Sequence, residues 1–181
     1  MTPSESPPIH TIGHSTRTIE QFAALLRLGG VDEVVDIRTV PRSRTNPQYN
    51  LDALPGELAR YQIAHRWIRS LGGLRGKAPE RDPTANGLWR NRSFHNYADY
   101  ALGSEFHEGL AELLALAERR RVAIMCAEAV WWRCHRRIVA DYLLAAGRTV
   151  LHLMGADRIE PATLTPGAVI DGSCVRYPAV A

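Results

Sequence analysis

The sequence has few cysteines, almost no lysine and no long apolar segment. Its three cysteines are an odd number in a chain of 181 residues, which argues against a disulfide framework and favours a reducing cytoplasm. No apolar stretch approaches the roughly 18 residues that cross a bilayer, so we expect no membrane partner. The first ten residues lack a basic segment followed by an apolar one, so we expect no secretion signal.

Positive charge is carried almost entirely by arginine, because Lys77 is the only lysine, and the net charge is just +3. Arginine binds phosphate and carboxylate through two parallel hydrogen bonds, which suits it to such ligands better than lysine. A modest basic surface for phosphates is one interpretation, and a codon bias towards arginine and alanine is the other. The sequence contains no Walker loop and no G-x-G-x-x-G motif.

Short apolar strands alternate with amphipathic helices along the chain. We predict strands at 9–15, 31–37, 64–68, 122–125 and 149–154. Helices are predicted to begin at Thr18, where Gln21 completes a capping box, at Asp52 and at Ser104, and a fourth helix ends at Gly147. This alternation predicts an α/β fold with an open, mainly parallel sheet of about five strands and helices on both faces, a Rossmann-like three-layer arrangement.

The chain is predicted to hold one domain with two flanking segments. Residues 1–8 are expected to be a disordered tail, and residues 9–154 a single α/β domain. Residues 155–181 form a C-terminal extension in which DGSCVRY is a candidate edge strand. A polar insertion without periodicity spans residues 71–96, and we interpret it as either a lid or a disordered crossover, since loops of this length are usually functional or mobile.

Residues whose side chains could bind a ligand or take part in catalysis concentrate where the predicted strands end. In an open parallel sheet, the loops at the carboxyl ends of the strands gather together and bind ligands. We therefore expect one site at that edge, although its members are far apart in the sequence. The residues at these positions are His14, Ser15, Asp36, Arg38, Cys126, Glu128, Cys134, His135 and Arg136.

The segment CAEAVWWRCHRR, residues 126–137, is the densest part of this set. Cys134 lies near a predicted helix N-terminus among arginines, a setting that lowers the pKa of a thiol and favours a reactive or ligating role. Cys126 has the alternative of an inert buried thiol. Glu128 is a candidate general acid or base if Trp131 and Trp132 surround its carboxylate, and the alternative is a solvated surface carboxylate.

The remaining candidates also have two interpretations each. His14 and His135 are candidate catalytic groups or structural hydrogen-bonding residues. Asp36 and Arg38 are candidate ligand contacts, but a buried ion pair that ties the loop to the sheet is the preferred interpretation. In the loop that follows, Arg42 and Arg44 suit phosphate binding, against the alternative of plain surface charge.

A metal site is not indicated by the spacing of the cysteines. Structural zinc sites usually contain two cysteines separated by two to four residues, whereas seven residues separate Cys126 from Cys134. A phosphatase loop is equally unlike this segment, which has two tryptophans and no glycine between Cys126 and Arg133. We therefore predict no metal, and the sequence indicates neither a cofactor nor an oligomeric state.

Several segments together resemble one bacterial family, the domain-of-unknown-function family 488. They are TIGHS, VDIRTVPRSR, LGG, FHNYADY, MCAE and CHRRIVADYL, in that order, within residues 10–154. The resemblance implies no particular activity, but it implies a set of motif residues that overlaps the predicted strand ends. These are Gly13, His14, Ser15, Asp36, Arg38, Pro41, Ser43, Arg44, Cys126, Glu128, Cys134, His135 and Arg136.

The sequence therefore predicts an enzyme, a candidate hydrolase or transferase, that acts on a phosphate-bearing nucleotide or nucleic acid. The alternatives are a thiol-based protein, sulfurtransferase-like or redox, and a non-catalytic module that binds a metal or another ligand. A loose likeness to the rhodanese layout lacks the glycine-rich cradle around a cysteine. The predicted catalytic residues are Glu128, His135, Cys134, Cys126 and His14. The predicted substrate-binding residues are Ser15, Asp36, Arg38, Ser43, Arg44, Arg136 and Trp132.

Overall fold

The structure is a computed structural model that describes residues 6–78, 82 and 84–180. Its strands are β1 (Ile9–Gly13), β2 (Glu33–Asp36), β3 (Ala64–Trp67), β4 (Val122–Cys126), β5 (Val150–Met154), β6 (Arg158–Pro161), β7 (Val169–Asp171) and β8 (Cys174–Arg176). Its α-helices are α1 (Ile19–Leu28), α2 (Leu54–Ala59), α3 (Arg92–Tyr100), α4 (Ser104–Ala117) and α5 (Arg136–Ala145). Short 3₁₀ segments occupy Pro47–Tyr49, Arg69–Leu71 and Trp131–Arg133.

The main sheet confirms the predicted α/β fold. Within the described residues it has six strands in the order β3-β2-β4-β1-β5-β6. The first five run parallel, and β6 pairs antiparallel with β5. Because β1, β2 and β4 are parallel neighbours or near neighbours, their carboxyl ends open onto the same edge of the sheet, where the candidate residues were expected to meet.

Helices cover both faces of this sheet. On one face α1 and α2 pack through apolar side chains such as Phe22 and Leu58, and on the other α3, α4 and α5 form the larger cluster. The central strand β4 serves both clusters, because alternate residues of a strand point to opposite faces. Ile124 belongs to the cluster of α3, α4 and α5, whereas Met125 belongs to that of α1 and α2.

The helix starts test the predicted caps directly. The capping box of α1 is confirmed: Thr18 Oγ1 accepts from the Gln21 N–H at 3.1 Å, and Gln21 Oε1 accepts from the Thr18 N–H at 2.9 Å. The other two predicted caps are wrong. Helix α2 begins after Ala53, because a turn at Asn50 precedes it, and Ser104 is already the first residue of α4.

The insertion at 71–96 contains a helix that the sequence analysis missed. Helix α3 starts there, and its Asn91 cap accepts hydrogen bonds from the N–H groups of Ser93 and Phe94 at 2.9 and 3.2 Å. The buried Tyr97 anchors it with a hydrogen bond of 2.8 Å from its hydroxyl to the Leu71 carbonyl. Residues 79–81 and 83 of the insertion lie outside the described residues.

The C-terminal extension adds an edge strand, but at a different place from the one predicted. That strand is β6, whereas the segment DGSCVRY pairs with Val169–Asp171 in a separate two-stranded hairpin. Buried Tyr177 fixes the extension to the domain, since its hydroxyl donates to Asp141 Oδ2 at 2.7 Å.

Most of the predicted tail, residues 1–5, lies outside the described residues, and Pro7 accepts a hydrogen bond from Arg148 at 2.9 Å. No helix within the described ranges has the length and apolar character needed to span a membrane.

Candidate functional site

An open hollow of about 320 Å³ lies at the carboxyl ends of β1, β2 and β4, and we call it the site hollow. All five predicted catalytic residues line it, together with Arg38 and Ser43 of the predicted binding residues. The complete lining is His14, Arg38, Thr39, Val40, Arg42, Ser43, Gly73, Leu74, Ser93, Cys126, Ala127, Glu128, Arg133, Cys134 and His135. The sheet topology therefore brings together side chains that are more than a hundred residues apart in the sequence.

A close contact between two loops shapes the floor of the hollow. Beyond the end of β1, the N–H of His14 donates to the Cys126 carbonyl and that of Ser15 to the Ala127 carbonyl, both at 2.9 Å. A Cβ atom at Gly13 would overlap the carbonyl oxygen of Glu128 and lie 2.6 Å from its carbonyl carbon. Only glycine permits this approach, which explains why the motif places glycine before His14.

Asp36 and Arg38 form a buried ion pair, as the preferred sequence interpretation held. The Nε and one terminal nitrogen of Arg38 donate to the two carboxylate oxygens at 2.9 and 2.7 Å, and the same terminal nitrogen donates to the Tyr49 carbonyl at 2.6 Å. Burial alone would raise the pKa of Asp36, but His65, 3.8 Å away, and Arg38 outweigh it and lower the pKa. Arg38 is only 6% exposed, and because it also donates to Tyr49, the buried pair ties the 40–50 loop to β2.

His14 is a neutral imidazole whose tautomer follows from its partners. Its Nδ1 lies 2.9 Å from the Ser15 carbonyl oxygen, an acceptor, so Nδ1 carries the proton. The bare Nε2 then accepts from Arg38, 3.4 Å away, and the ring stacks on Tyr49 with centroids 4.3 Å apart. Burial lowers the pKa of His14 to about 4, so the ring stays neutral near pH 7. It holds Arg38 in place at the wall of the hollow.

His135 adjoins Cys134, and its tautomer is also fixed. Its Nε2 donates to the Ile37 carbonyl at 2.7 Å, which leaves Nδ1 as a bare acceptor 3.4 Å from Cys134 Sγ. Burial lowers the pKa of His135 to about 4. The arrangement has the order thiol, imidazole and orienting acceptor that activates a thiol in nucleophilic enzymes. The single thiol proton of Cys134 can therefore be donated either to this nitrogen or to the sulfur of Cys126.

Gly73 packs directly against this imidazole. A Cβ atom at Gly73 would lie 2.7 Å from His135 Cγ, so a side chain there would displace the ring. This contact gives a physical reason for the second glycine of the LGG segment, which was not among the predicted site residues.

Cys126 and Cys134 form a pair that loses its first proton more easily than an ordinary thiol. Burial raises the pKa of Cys126, but the hydrogen bond from Cys134 and the charge of Arg136 outweigh it and bring the pKa to about 7. Burial and the neighbouring Cys126 raise the pKa of Cys134 well above its usual value, because two adjacent thiolates repel. The lowered pKa that the sequence predicted for Cys134 is therefore wrong. The pair thus carries up to one negative charge near neutral pH, centred on Cys126.

Arg136 supports the loop that carries Glu128. Its side chain is fully buried, and one terminal nitrogen donates to the carbonyls of Glu128 and Ala129 at 3.1 and 3.4 Å. Its Nε has no partner among the described residues. Arg136 therefore contributes charge beneath Cys126, while its contacts are to backbone oxygens.

Five predicted binding residues lie outside the lining of the hollow. Asp36 and Arg136 are buried beneath it, and Ser15 follows the floor with a positive φ of 47°. Arg44 is exposed on the loop, and Trp132 is exposed with its ring edge against Trp131, 5.5 Å away. Tertiary packing sets these positions, and they cannot be predicted from the ends of the strands alone.

Two exposed arginines belong to the lining: Arg42, which the sequence indicated as a candidate for phosphate binding, and Arg133, which it did not. The guanidinium groups of Arg42 and Arg133 are exposed and make no hydrogen bond or ion pair with any residue that the structure describes. Ser93 and Leu74, from the insertion, complete the opposite wall. Within the described ranges, no three His, Cys, Asp or Glu side chains come together as a metal-binding group.

Comparison with known proteins gives one result. The model of a family described as Domain of unknown function DUF488 matches residues 18–143, which include α1 to most of α5 and nearly all of the lining. No curated protein and no solved structure matches the chain.

Proposed function

The chain belongs to the DUF488 family, whose description assigns no activity, and we therefore propose its function from the site alone. We propose that the protein is an enzyme that acts on a phosphate-bearing substrate bound in the site hollow. One observation carries the proposal: a thiol pair and an oriented imidazole form the floor of a hollow whose rim holds two arginines without partners among the described residues.

Arg42 and Arg133 support an anionic substrate. Their donors are available for bidentate hydrogen bonds to phosphate oxygens, which are shorter and stronger than neutral ones. Arg38, by contrast, already uses four of its five N–H donors on Asp36, Tyr49 and His14. The substrate charge is therefore assigned to the two rim arginines, and Arg38 to the support of the wall.

Cys126 is proposed as the nucleophile. Its pKa of about 7 provides thiolate at neutral pH without a further base. The thiolate forms a bond to the electrophilic centre of the substrate, and the leaving group departs with the electron pair of the bond that breaks. The exposed carboxylate of Glu128 then removes a proton from water, and the resulting hydroxide releases the product and restores the thiolate.

A thiol redox function is the second candidate, and it is favoured because Cys126 and Cys134 line the same hollow and each shifts the pKa of the other. A two-electron oxidant such as peroxide would take one electron from each sulfur. The products would be a disulfide, two released protons and reduced oxidant.

Protection of Cys126 from alkylation tests the proposal. Trypsin cuts after Arg133, so the peptide 122–133 reports Cys126 separately from Cys134. We expect millimolar phosphate or adenosine 5′-monophosphate to slow the reaction with iodoacetamide. Arg42→Ala and Arg133→Ala should lose this protection. Arg133→Ala lacks the tryptic site, so in that variant fragmentation of the peptide 122–136 in the mass spectrometer separates Cys126 from Cys134. Arg44→Ala should keep it, because Arg44 lies on the same loop outside the hollow.

The outcomes separate the two candidates. If no phosphate compound protects Cys126 while it still reacts with iodoacetamide, a phosphate-bearing substrate is excluded. A Cys126–Cys134 disulfide that forms quantitatively with one equivalent of peroxide would instead support the redox candidate.

A further inference from the structure

A second hollow adjoins the site hollow on the side of the insertion. It has a volume of about 540 Å³ and lies at the start of α3, so we call it the α3 hollow. Its lining is Leu74, Arg75, Gly76, Arg92, Ser93 and Asn96. Leu74 and Ser93 line both hollows, which makes them two parts of one continuous surface depression.

The α3 hollow has its own available cation, and it is Arg92. Arg75 is engaged, because its Nε donates to the Gly72 carbonyl at 3.0 Å and its guanidinium lies 3.9 Å from the centre of the Tyr100 ring. Arg92 is exposed and forms no hydrogen bond or ion pair within the part of the chain that the structure describes. Each hollow therefore presents cationic charge that the described residues do not neutralise.

An apolar side chain separates the two cationic regions. Leu74 is 70% exposed although it belongs to both linings, and Val40, 56% exposed, extends the apolar surface into the site hollow. The segment around Leu74 is fixed, since its N–H donates to Thr39 Oγ1 at 2.9 Å. An uncharged part of a ligand that covered Leu74 would remove this apolar surface from water.

We infer that the substrate carries an anionic group at each end of an uncharged middle, with one end at Arg42 and Arg133, the middle over Leu74, and the other end at Arg92. Ligand pockets of several hundred Å³ hold molecules of nucleotide size. A nucleoside with phosphates on its 3′ and 5′ oxygens has this chemistry, and so does the first nucleotide unit of a 5′-phosphorylated dinucleotide, whose 3′ oxygen carries the phosphodiester. This inference rests on the proposed function and specifies the substrate class of the same site.

Calorimetric titration of the full chain with four adenosine compounds tests the inference. Adenosine 3′,5′-bisphosphate should bind about tenfold more tightly than the 5′-monophosphate, since a charge-assisted hydrogen bond contributes roughly that factor. Adenosine 5′-diphosphate should gain much less, because both of its charged groups lie at one end. The 5′-phosphorylated diadenylate also carries two anionic groups separated by a nucleoside. Whichever of these two ligands binds more tightly shows whether the substrate is a free nucleotide or an oligonucleotide.

Two matched variants locate the second anionic group. Arg92→Ala should abolish the tenfold advantage of the bisphosphate and leave the affinity for the monophosphate unchanged. Arg90→Ala removes an exposed arginine two residues away that lines neither hollow, and it should change neither affinity.

Different outcomes overturn the proposed function and the substrate class inferred from it. If the monophosphate binds but the bisphosphate binds no more tightly, or if Arg92→Ala retains the advantage, the inference is overturned and the proposed function stands. If none of the compounds binds, both are overturned.

Discussion

Replacement of Gly13 by alanine is the sharpest structural perturbation that the site offers. The new Cβ would overlap the Glu128 carbonyl and lie 2.6 Å from its carbon, whereas real Cβ atoms come no closer than 3.0 Å. Because the obstacle is backbone, the 127–129 segment must move. That movement breaks the two hydrogen bonds of 2.9 Å from His14 and Ser15 that hold it.

The expected loss can be worked out from these contacts. Two backbone hydrogen bonds contribute about 1 kcal/mol each, and overpacking of a fixed site costs about 1–3 kcal/mol. Gly13→Ala should therefore lower the free energy of unfolding by about 3–5 kcal/mol. The displaced Glu128 carbonyl would also lose its hydrogen bonds with Cys126 and Arg136, so the rate at which Cys126 is alkylated should change as well.

Gly56→Ala is the matched control, measured alongside by urea unfolding at pH 7.5. Gly56 lies in α2, and a Cβ there meets no atom of the described residues within 4 Å. Alanine should stabilise the helix by up to about 1 kcal/mol. If Gly13→Ala proved as stable as Gly56→Ala, the two loops would not be clamped as described.

Two further changes follow from buried charge. Arg38→Ala should lower the free energy of unfolding in urea by about 3–5 kcal/mol, because it leaves the Asp36 carboxylate buried without its cation. The control Arg60→Ala breaks an exposed ion pair with Glu57 and should lower it by at most about 1 kcal/mol. Equal losses in the two variants would contradict the role of the buried pair. Burial lowers the pKa of His14 and His135 to about 4 and that of His152 to about 3, so these rings stay neutral in the folded chain while the unfolded chain takes up protons below about pH 6.5. The contribution of these three histidines to stability should therefore be constant above that pH and fall towards pH 4 by up to about 1.4 kcal/mol per pH unit for each histidine, and equal stability in urea at pH 7 and pH 5 would refute it.

Local signals and one topological rule were enough to predict much of the site. The capping box of α1 is a contact within four residues, so the sequence contains all of it. The gathering of His14, Cys126 and His135 needed only parallel strands whose carboxyl ends share an edge. Both kinds of prediction depend on spacing rather than on the details of side-chain packing.

Other features depend on contacts that no local pattern contains. Helix α3 was missed because aromatic residues such as Tyr97, rather than a regular aliphatic repeat, form its buried side. Strand β6 is short and polar, and it exists because β5 offers it an edge. The roles of the arginines were the hardest to predict, since only the structure shows that Arg38 is engaged while Arg42 lines the hollow and Arg44 does not.

The reactive state of Cys126 is the claim on which the proposed chemistry depends. The pH dependence of its alkylation, measured on the peptide 122–133, tests this claim most directly. We predict a midpoint near pH 7, which moves upward in Cys134→Ala because the hydrogen bond that stabilises the thiolate is lost. A midpoint at or above about 8.5, the value of an ordinary thiol, would contradict the account.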